Sequence, residues 1–93
     1  MKAIYKNTII AGSDQTIVVE NNHYFPPDSL HAEYLYKSGN TYQCPWKGKA
    51  FYYDIIVGDE TLHDAAWTYP EPSEAARAIK GYYAFWKGVK IVA

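Results

Sequence analysis

Phe51-Tyr52-Tyr53-Asp54-Ile55-Ile56-Val57-Gly58-Asp59-Glu60-Thr61-Leu62-His63-Asp64-Ala65-Ala66-Trp67 decides the fold. Apart from Asp54, its first seven residues are aromatic or β-branched, the side chains that fit a pleated, half-buried surface. Gly58-Asp59 is a pair suited to a two-residue I′ or II′ turn. Thr61 to Trp67 then reads as the return strand of a hairpin. Downstream, Tyr69-Pro70-Glu71-Pro72 stops that strand, because proline cannot donate to a ladder. Ser73 is a helix N-cap type, Glu74 to Lys80 are helix formers, and Gly81 ends the segment, so a short helix is predicted with Ala76 and Ile79 facing the core. Tyr82 to Trp86 reads as a strand, and Lys87-Gly88 turns it into Val89 to Val92.

Upstream the pattern is the same. Ala3-Ile4-Tyr5 and Thr8-Ile9-Ile10-Ala11 flank Lys6-Asn7, which suits a two-residue hairpin. Gly12-Ser13-Asp14 is a turn, and Thr16-Ile17-Val18-Val19-Glu20 is a β-branched strand ending at Asn21-Asn22. Pro26-Pro27 forbids a central strand, and Asp28 or Ser29 can cap a helical turn over residues 30–33. Tyr34-Leu35-Tyr36 is strand-like again, and Ser38-Gly39-Asn40 reads as a turn. The expectation is a mainly β, compact single domain spanning residues 1–93, built of short antiparallel strands with one or two short helices. No βαβ rhythm is present, which excludes a dinucleotide-binding fold. Trp-Lys-Gly occurs at 46–48 and again at 86–88 without matching sequence after it, so it reads as coincidence or similar turns.

Composition narrows the function. A net charge of −1 and a single arginine, Arg77, exclude general nucleic-acid binding, which needs several cations on one face. One cysteine permits neither an internal disulfide nor a Cys-rich zinc site, and His23, His31 and His63 match no metal-ligand spacing, so no metal is expected. No apolar run approaches the ~18–20 residues of a membrane span. Met1-Lys2 leads at once into an alternating segment, so no signal peptide is expected and a reducing cytoplasm is the default compartment. Ten tyrosines, three tryptophans and three phenylalanines suggest sheet faces, pocket walls or an interface, since tyrosine buries a ring while its hydroxyl seeks a partner.

Tyr42-Gln43-Cys44-Pro45-Trp46-Lys47-Gly48 concentrates the chemistry. Cys44 is a nucleophile if a neighbouring ammonium such as Lys47 lowers its pKa, or a small buried hydrophobe if nothing does. Pro45 fixes the backbone after the thiol, and Gly48 permits close approach of a ligand. Lys47 can pair with an anion or snorkel from a surface turn. Trp46, Trp67 and Tyr69 can wall a pocket or pack a core. His23 and Glu33 flank the Pro26-Pro27 corner and can form an acid–base pair, although a histidine beside Asn-Asn equally fits a turn. Asp64 precedes Ala65-Ala66-Trp67 and reaches the same site, or points outward from an alternating strand.

Several blocks together carry a resemblance: Thr16-Ile17-Val18-Val19-Glu20, His23-Tyr24-Phe25-Pro26-Pro27, Cys44-Pro45-Trp46-Lys47-Gly48, Ala65-Ala66-Trp67-Thr68-Tyr69-Pro70-Glu71-Pro72 and Ile79-Lys80-Gly81-Tyr82-Tyr83-Ala84-Phe85. In this order, over nearly the whole chain, they resemble the small bacterial DUF427 family. The resemblance implies a compact, mostly β single domain and a shared site, and it places Lys47 at that site. The family also carries a nucleotidyltransferase label. The residues give that label no footing: there is no Gly-x-Gly-x-x-Gly, no Walker loop and no Asp-x-Asp, and Asp59-Glu60 belongs to a hairpin tip.

The expected site is one aromatic-lined pocket with Cys44, Lys47 and Glu33 on its floor and Trp46, Trp67, Tyr69 and Tyr24 as walls, with His23 and Asp64 in reach. Three functions remain open. The first is binding of a small polar or planar ligand. The second is an enzyme with Cys44 as nucleophile or Glu33 and His23 as acid and base. The third is a protein-interaction module, including a homo-oligomer. The residues specify no cofactor.

Overall fold

The computed structural model describes residues 1–93 and contains nine strands: β1 (Lys2–Tyr5), β2 (Thr8–Gly12), β3 (Ile17–Val19), β4 (Asn22–Tyr24), β5 (Leu35–Cys44), β6 (Gly48–Val57), β7 (Glu60–Thr68), β8 (Tyr83–Phe85) and β9 (Lys90–Val92). All pairings are antiparallel, and the only helical segments are short 3₁₀ turns. The fold is mainly β, as the alternating segments predict. The hairpin at residues 51–67 is its centre. β6 and β7 meet at Gly58-Asp59, with Gly58 at φ +59° and Asp59 outside the left-handed region, the φ signature of a II′ turn. β5 and β8 flank this hairpin to give the order β5-β6-β7-β8, and β2-β1-β9 form a second sheet.

Alternation along β6 assigns its two faces. Tyr53 pairs with Ala66, and both join Ile10, Phe25, Ile55 and Phe85 in one core against the β2-β1-β9 sheet. Ala50 pairs with Tyr42 and Tyr52 with Trp67, and this opposite face joins Tyr24, Cys44, Tyr69, Ala76 and Ile79 in a second core. Tyr24 and Phe25 are consecutive and serve one core each, as period-2 alternation requires. Phe25 and Tyr83 exchange both backbone hydrogen bonds (2.7 and 2.9 Å). The β3–β4 hairpin is therefore joined to the edge of β8 and extends the sheet.

Five local expectations are corrected. The β3–β4 turn residues are Glu20 and Asn21, at φ 52° and 67°, and Asn22 is already in β4. The two-residue register Val19↔Asn22 leaves no other choice. Residues 30–33 are not one helical turn: Leu30 bridges Ala11, His31 N–H donates to Ile10 C=O at 2.8 Å, and separate 3₁₀ turns occupy Pro27–Ser29 and Ala32–Tyr34. Ser38-Gly39-Asn40 is no turn between elements but a bulge inside β5, between the pairs Lys37↔Tyr53 and Thr41↔Phe51. The segment after Ser73 is 3₁₀ over Glu74–Ile79 and broken at Ala76, and the Ser73 hydroxyl donates to Trp46 C=O rather than capping it. The strand expected at 82–86 is limited to Tyr83–Phe85. The two Trp-Lys-Gly copies differ in conformation, with Gly48 left-handed in the first and Lys87 in the second.

Candidate functional site

The face of the sheet that carries Tyr42, Ala50, Tyr52 and Trp67 is not fully covered. The β3–β4 hairpin curls over it from the β8 side, and Asn22 and Tyr24 on β4 form one wall. Tyr69 enters from just beyond β7 and Trp86 from just beyond β8. Lys47, in the three-residue loop between β5 and β6, closes the end. The result is an open cleft of about 130 Å³. Ala50 sits among large rings, and its missing side-chain volume is part of what keeps the cleft open.

The rings are fixed by contact and by hydrogen bonds. Tyr24 meets Trp67 edge-on at 6.2 Å, and the Trp67 indole N–H donates to the Tyr24 hydroxyl at 3.1 Å. Trp67 meets Trp86 edge-on at 5.4 Å, while Tyr52 lies nearly parallel to Trp86 at 6.3 Å. The Trp86 indole N–H donates to the Asp64 carbonyl, which holds that exposed ring over the mouth. Such edge-to-face arrangements follow from the ring quadrupole.

Lys47 is 6% exposed, an unusual burial for a lysine. Its ammonium donates to the Glu20 carboxylate at the tip of the β3–β4 turn. It also lies 4.9 Å from the Trp46 ring centre and 5.8 Å from that of Tyr69. Trp46 is on the rim, and its indole N–H donates to the other Glu20 oxygen at 3.4 Å. These contacts tie the β3–β4 turn to the β5–β6 loop across the cleft. Burial alone would lower the Lys47 pKa, but the hydrogen bond to Glu20, with the negative charge available on Tyr24, Cys44 and Glu20, raises it. Glu20 is held below the usual carboxylate range by its hydrogen bonds from Lys47 and then Trp46.

Cys44 lies under this loop, 6% exposed. Burial pushes its thiol up, yet the backbone amides of Lys47 and Trp46 and the Lys47 ammonium together bring it below the ordinary value. Burial raises Tyr24, against the opposing effects of the Trp67 hydrogen bond and Lys47. Burial also raises Tyr69 strongly, as do the charges of Tyr24 and Cys44 and a hydrogen bond to Cys44.

Of the residues singled out in the sequence, Tyr24, Lys47, Trp67 and Tyr69 line the cleft, Cys44 lies beneath it and Trp46 stands at its rim. His23 alternates to the other side of β4 from Asn22 and Tyr24, and its Nδ1 meets the Thr16 hydroxyl at 2.9 Å. Glu33 is exposed on the second 3₁₀ turn, outside the cleft, and makes no hydrogen bond or ion pair with His23. Asp64 sits at a bulge of β7 behind Trp86, with φ 52°, and accepts a 2.8 Å hydrogen bond from Asn40. The carboxylate that meets Lys47 is Glu20, which sequence reasoning missed along with Asn22, Tyr42, Ala50, Tyr52 and Trp86. Alternation outward from Trp67 and Phe51 would have found Tyr52 and Ala50. Nothing in the sequence alone marks Glu20; only its left-handed φ in the folded turn does.

No group of three His, Cys, Asp or Glu side chains converges as a metal site, and no helix is long and apolar enough to cross a membrane. A family model described as a domain of unknown function, DUF427, matches residues 1–92, and the chain belongs to that family. A comparison with curated proteins found no match.

Proposed function

We propose that this DUF427 domain binds a small planar ligand, about one ring in size, in the cleft between β4 and the β5-β6-β7 face. The observation that carries the reading is a nine-tenths buried ammonium, Lys47, opening into a concave surface whose other walls are mostly aromatic. Ligand sites characteristically combine apolar walls with a few converging polar groups. The volume of about 130 Å³ falls below the roughly 300–1,000 Å³ of pockets for drug-sized ligands. That favours a single ring over a nucleoside triphosphate. A ring-fragment screen observed through the indole N–H resonances of Trp67 and Trp86 tests the reading. Hits are expected to shift these two signals and to be lost in Ala50→Leu, which fills the floor. Hits unaffected by Ala50→Leu, or a screen without hits, would overturn it.

A second reading is favoured by one observation. The Cys44 thiol is lowered despite its burial, because two loop amides and the Lys47 ammonium face it. Such a thiol suits a nucleophile. Iodoacetamide labelling against pH tests this: a midpoint well below the free-thiol value of about 8.5 supports a nucleophile, and a folded protein that does not label makes Cys44 structural.

A further inference from the structure

Two buried donors of the cleft, Tyr24 and Lys47, have protons to spare, and they select the polar edge of the ligand. The Tyr24 hydroxyl is buried with its residue (1% exposed) and accepts from the Trp67 indole. An indole N–H can only donate, so the Tyr24 proton is left to give. No protein acceptor takes it: the Trp67 contact is the single hydrogen bond of that side chain. Lys47 has three N–H bonds: Glu20 takes one and the Cys44 thiol beneath the loop lies in reach of a second, which leaves one for a ligand. No Asp or Glu lines the cleft.

The charges are equally lopsided. The Lys47 side chain is 7% exposed and that of Glu20 is 54% exposed. Water and salt screen the carboxylate more than the ammonium, which faces a low-dielectric surface, so the field inside the cleft is biased towards positive charge. An aromatic cage often holds a ligand cation. Here the cation is supplied by the protein, within 6 Å of the Trp46 and Tyr69 ring centres at 4.9 and 5.8 Å. A second cation would meet it.

We infer that the ligand is a planar monocarboxylate, its oxygens accepting from Lys47 Nζ and Tyr24 Oη while its ring lies against Trp67 and Tyr52. This rests on the cleft being a small-ligand site. Benzoate, benzamide and benzamidinium have nearly the same shape and carry −1, 0 and +1, so they isolate the charge. Titrated against the folded protein by calorimetry or indole N–H shifts, benzoate is expected to bind at least about tenfold more tightly than benzamide, and benzamidinium most weakly, in line with charge-assisted bonds being the stronger ones. Glu20→Gln, an exposed substitution that removes the carboxylate charge competing for the Lys47 ammonium, is expected to tighten benzoate several-fold. Lys47→Met is expected to abolish the preference for benzoate over benzamide. Benzamidinium binding as well as benzoate, a benzoate preference that survives Lys47→Met, or weaker benzoate binding in Glu20→Gln would each overturn the inference. If none of the three binds while other ring fragments do, the carboxylate assignment falls and the small-ligand reading stands. If no fragment binds at all, both fall.

Discussion

Replacing Tyr24 by Phe deletes one oxygen, and the structure fixes what that deletion should cost. The oxygen is the acceptor of the buried Trp67 indole N–H, 3.1 Å away. A neutral hydrogen bond contributes only about 0.5–1.5 kcal/mol net, but an orphaned buried donor loses its desolvation as well, about 1–3 kcal/mol. Tyr24 is 1% exposed and Trp67 9% exposed, so water has little access to compensate. The expected destabilisation is therefore ~2 kcal/mol. For a chain of this length each kcal/mol shifts Tm by roughly 4–8 °C, so Tm should drop by about 10 °C. Trp67→Phe removes the donor but also ring volume, and its cost mixes a cavity with a lost bond. The double substitution separates the two. Once the indole N–H is gone, losing the Tyr24 oxygen orphans nothing, and the double variant should be about 1–2 kcal/mol more stable than the summed singles predict. Urea unfolding followed by circular dichroism reads all four proteins without relying on tryptophan emission, and unchanged m-values would confirm comparable transitions. A coupling energy below about 0.5 kcal/mol would refute the reasoning. It would mean that the indole has another partner and that the Tyr24 proton is not committed to the cleft.

Three further outcomes follow from the geometry. Lys47→Met removes both the ammonium and its hydrogen bond from the Cys44 thiol, so the pH midpoint of iodoacetamide labelling should rise; an unmoved midpoint would show that the loop amides act alone. Gly48→Ala places a Cβ 3.4 Å from Glu71 C=O and Pro72 Cα at a residue with φ +112°, and urea unfolding should register a loss of about 1–3 kcal/mol. The Asp64 carboxyl is held below its ordinary value by the neighbouring Ser38 hydroxyl and by the hydrogen bond from Asn40, against the effect of burial. A depressed folded pKa contributes stability that is present above the unfolded value near 4 and is lost as pH falls through the folded one. The slope of Tm between pH 5 and pH 2 should accordingly be shallower in Asp64→Asn, and an identical slope would remove Asp64 from the acid limb.

Legibility in the sequence tracks how local each cause is. The β6–β7 hairpin is readable because strand composition and a turn glycine are adjacent in the chain. Lys6-Asn7 is readable for the same reason, and both residues adopt the left-handed φ (50° and 60°) that such a turn requires. Ser38-Gly39-Asn40 misleads because turns and bulges use the same chemistry. Asn40 N–H donates to the Ser38 hydroxyl at 3.1 Å, as in a turn, while the Asn40 side chain reaches Asp64 across the sheet. The helix formers after Ser73 fail to give an α-helix because they are too few to nucleate one. They are also fenced by Pro72 and by Gly81, whose N–H donates to Tyr69 C=O at 3.1 Å.

The site divides along the same line. Lys47, Trp67, Tyr69 and Tyr24 were legible as residue types with chemistry to offer, and the fold gathers them at one cleft. Which carboxylate meets Lys47 was not legible, because that choice depends on where a curled sheet brings two distant turns together. Glu33 sits beside a corner that looks functional, and Glu20 ends an ordinary β-branched strand. Yet Glu20 holds a left-handed φ of 52°, which costs a residue with a Cβ about 1–2 kcal/mol. Asn or Gly would hold that position more easily. A glutamate there is strained locally and partnered only at long range, by Lys47 and Trp46, 27 and 26 residues away in the chain. The mismatch between residue and turn is itself the signal: local propensity yields where a side chain is needed elsewhere. Here it is held at the mouth of the cleft, where it anchors the buried Lys47 ammonium.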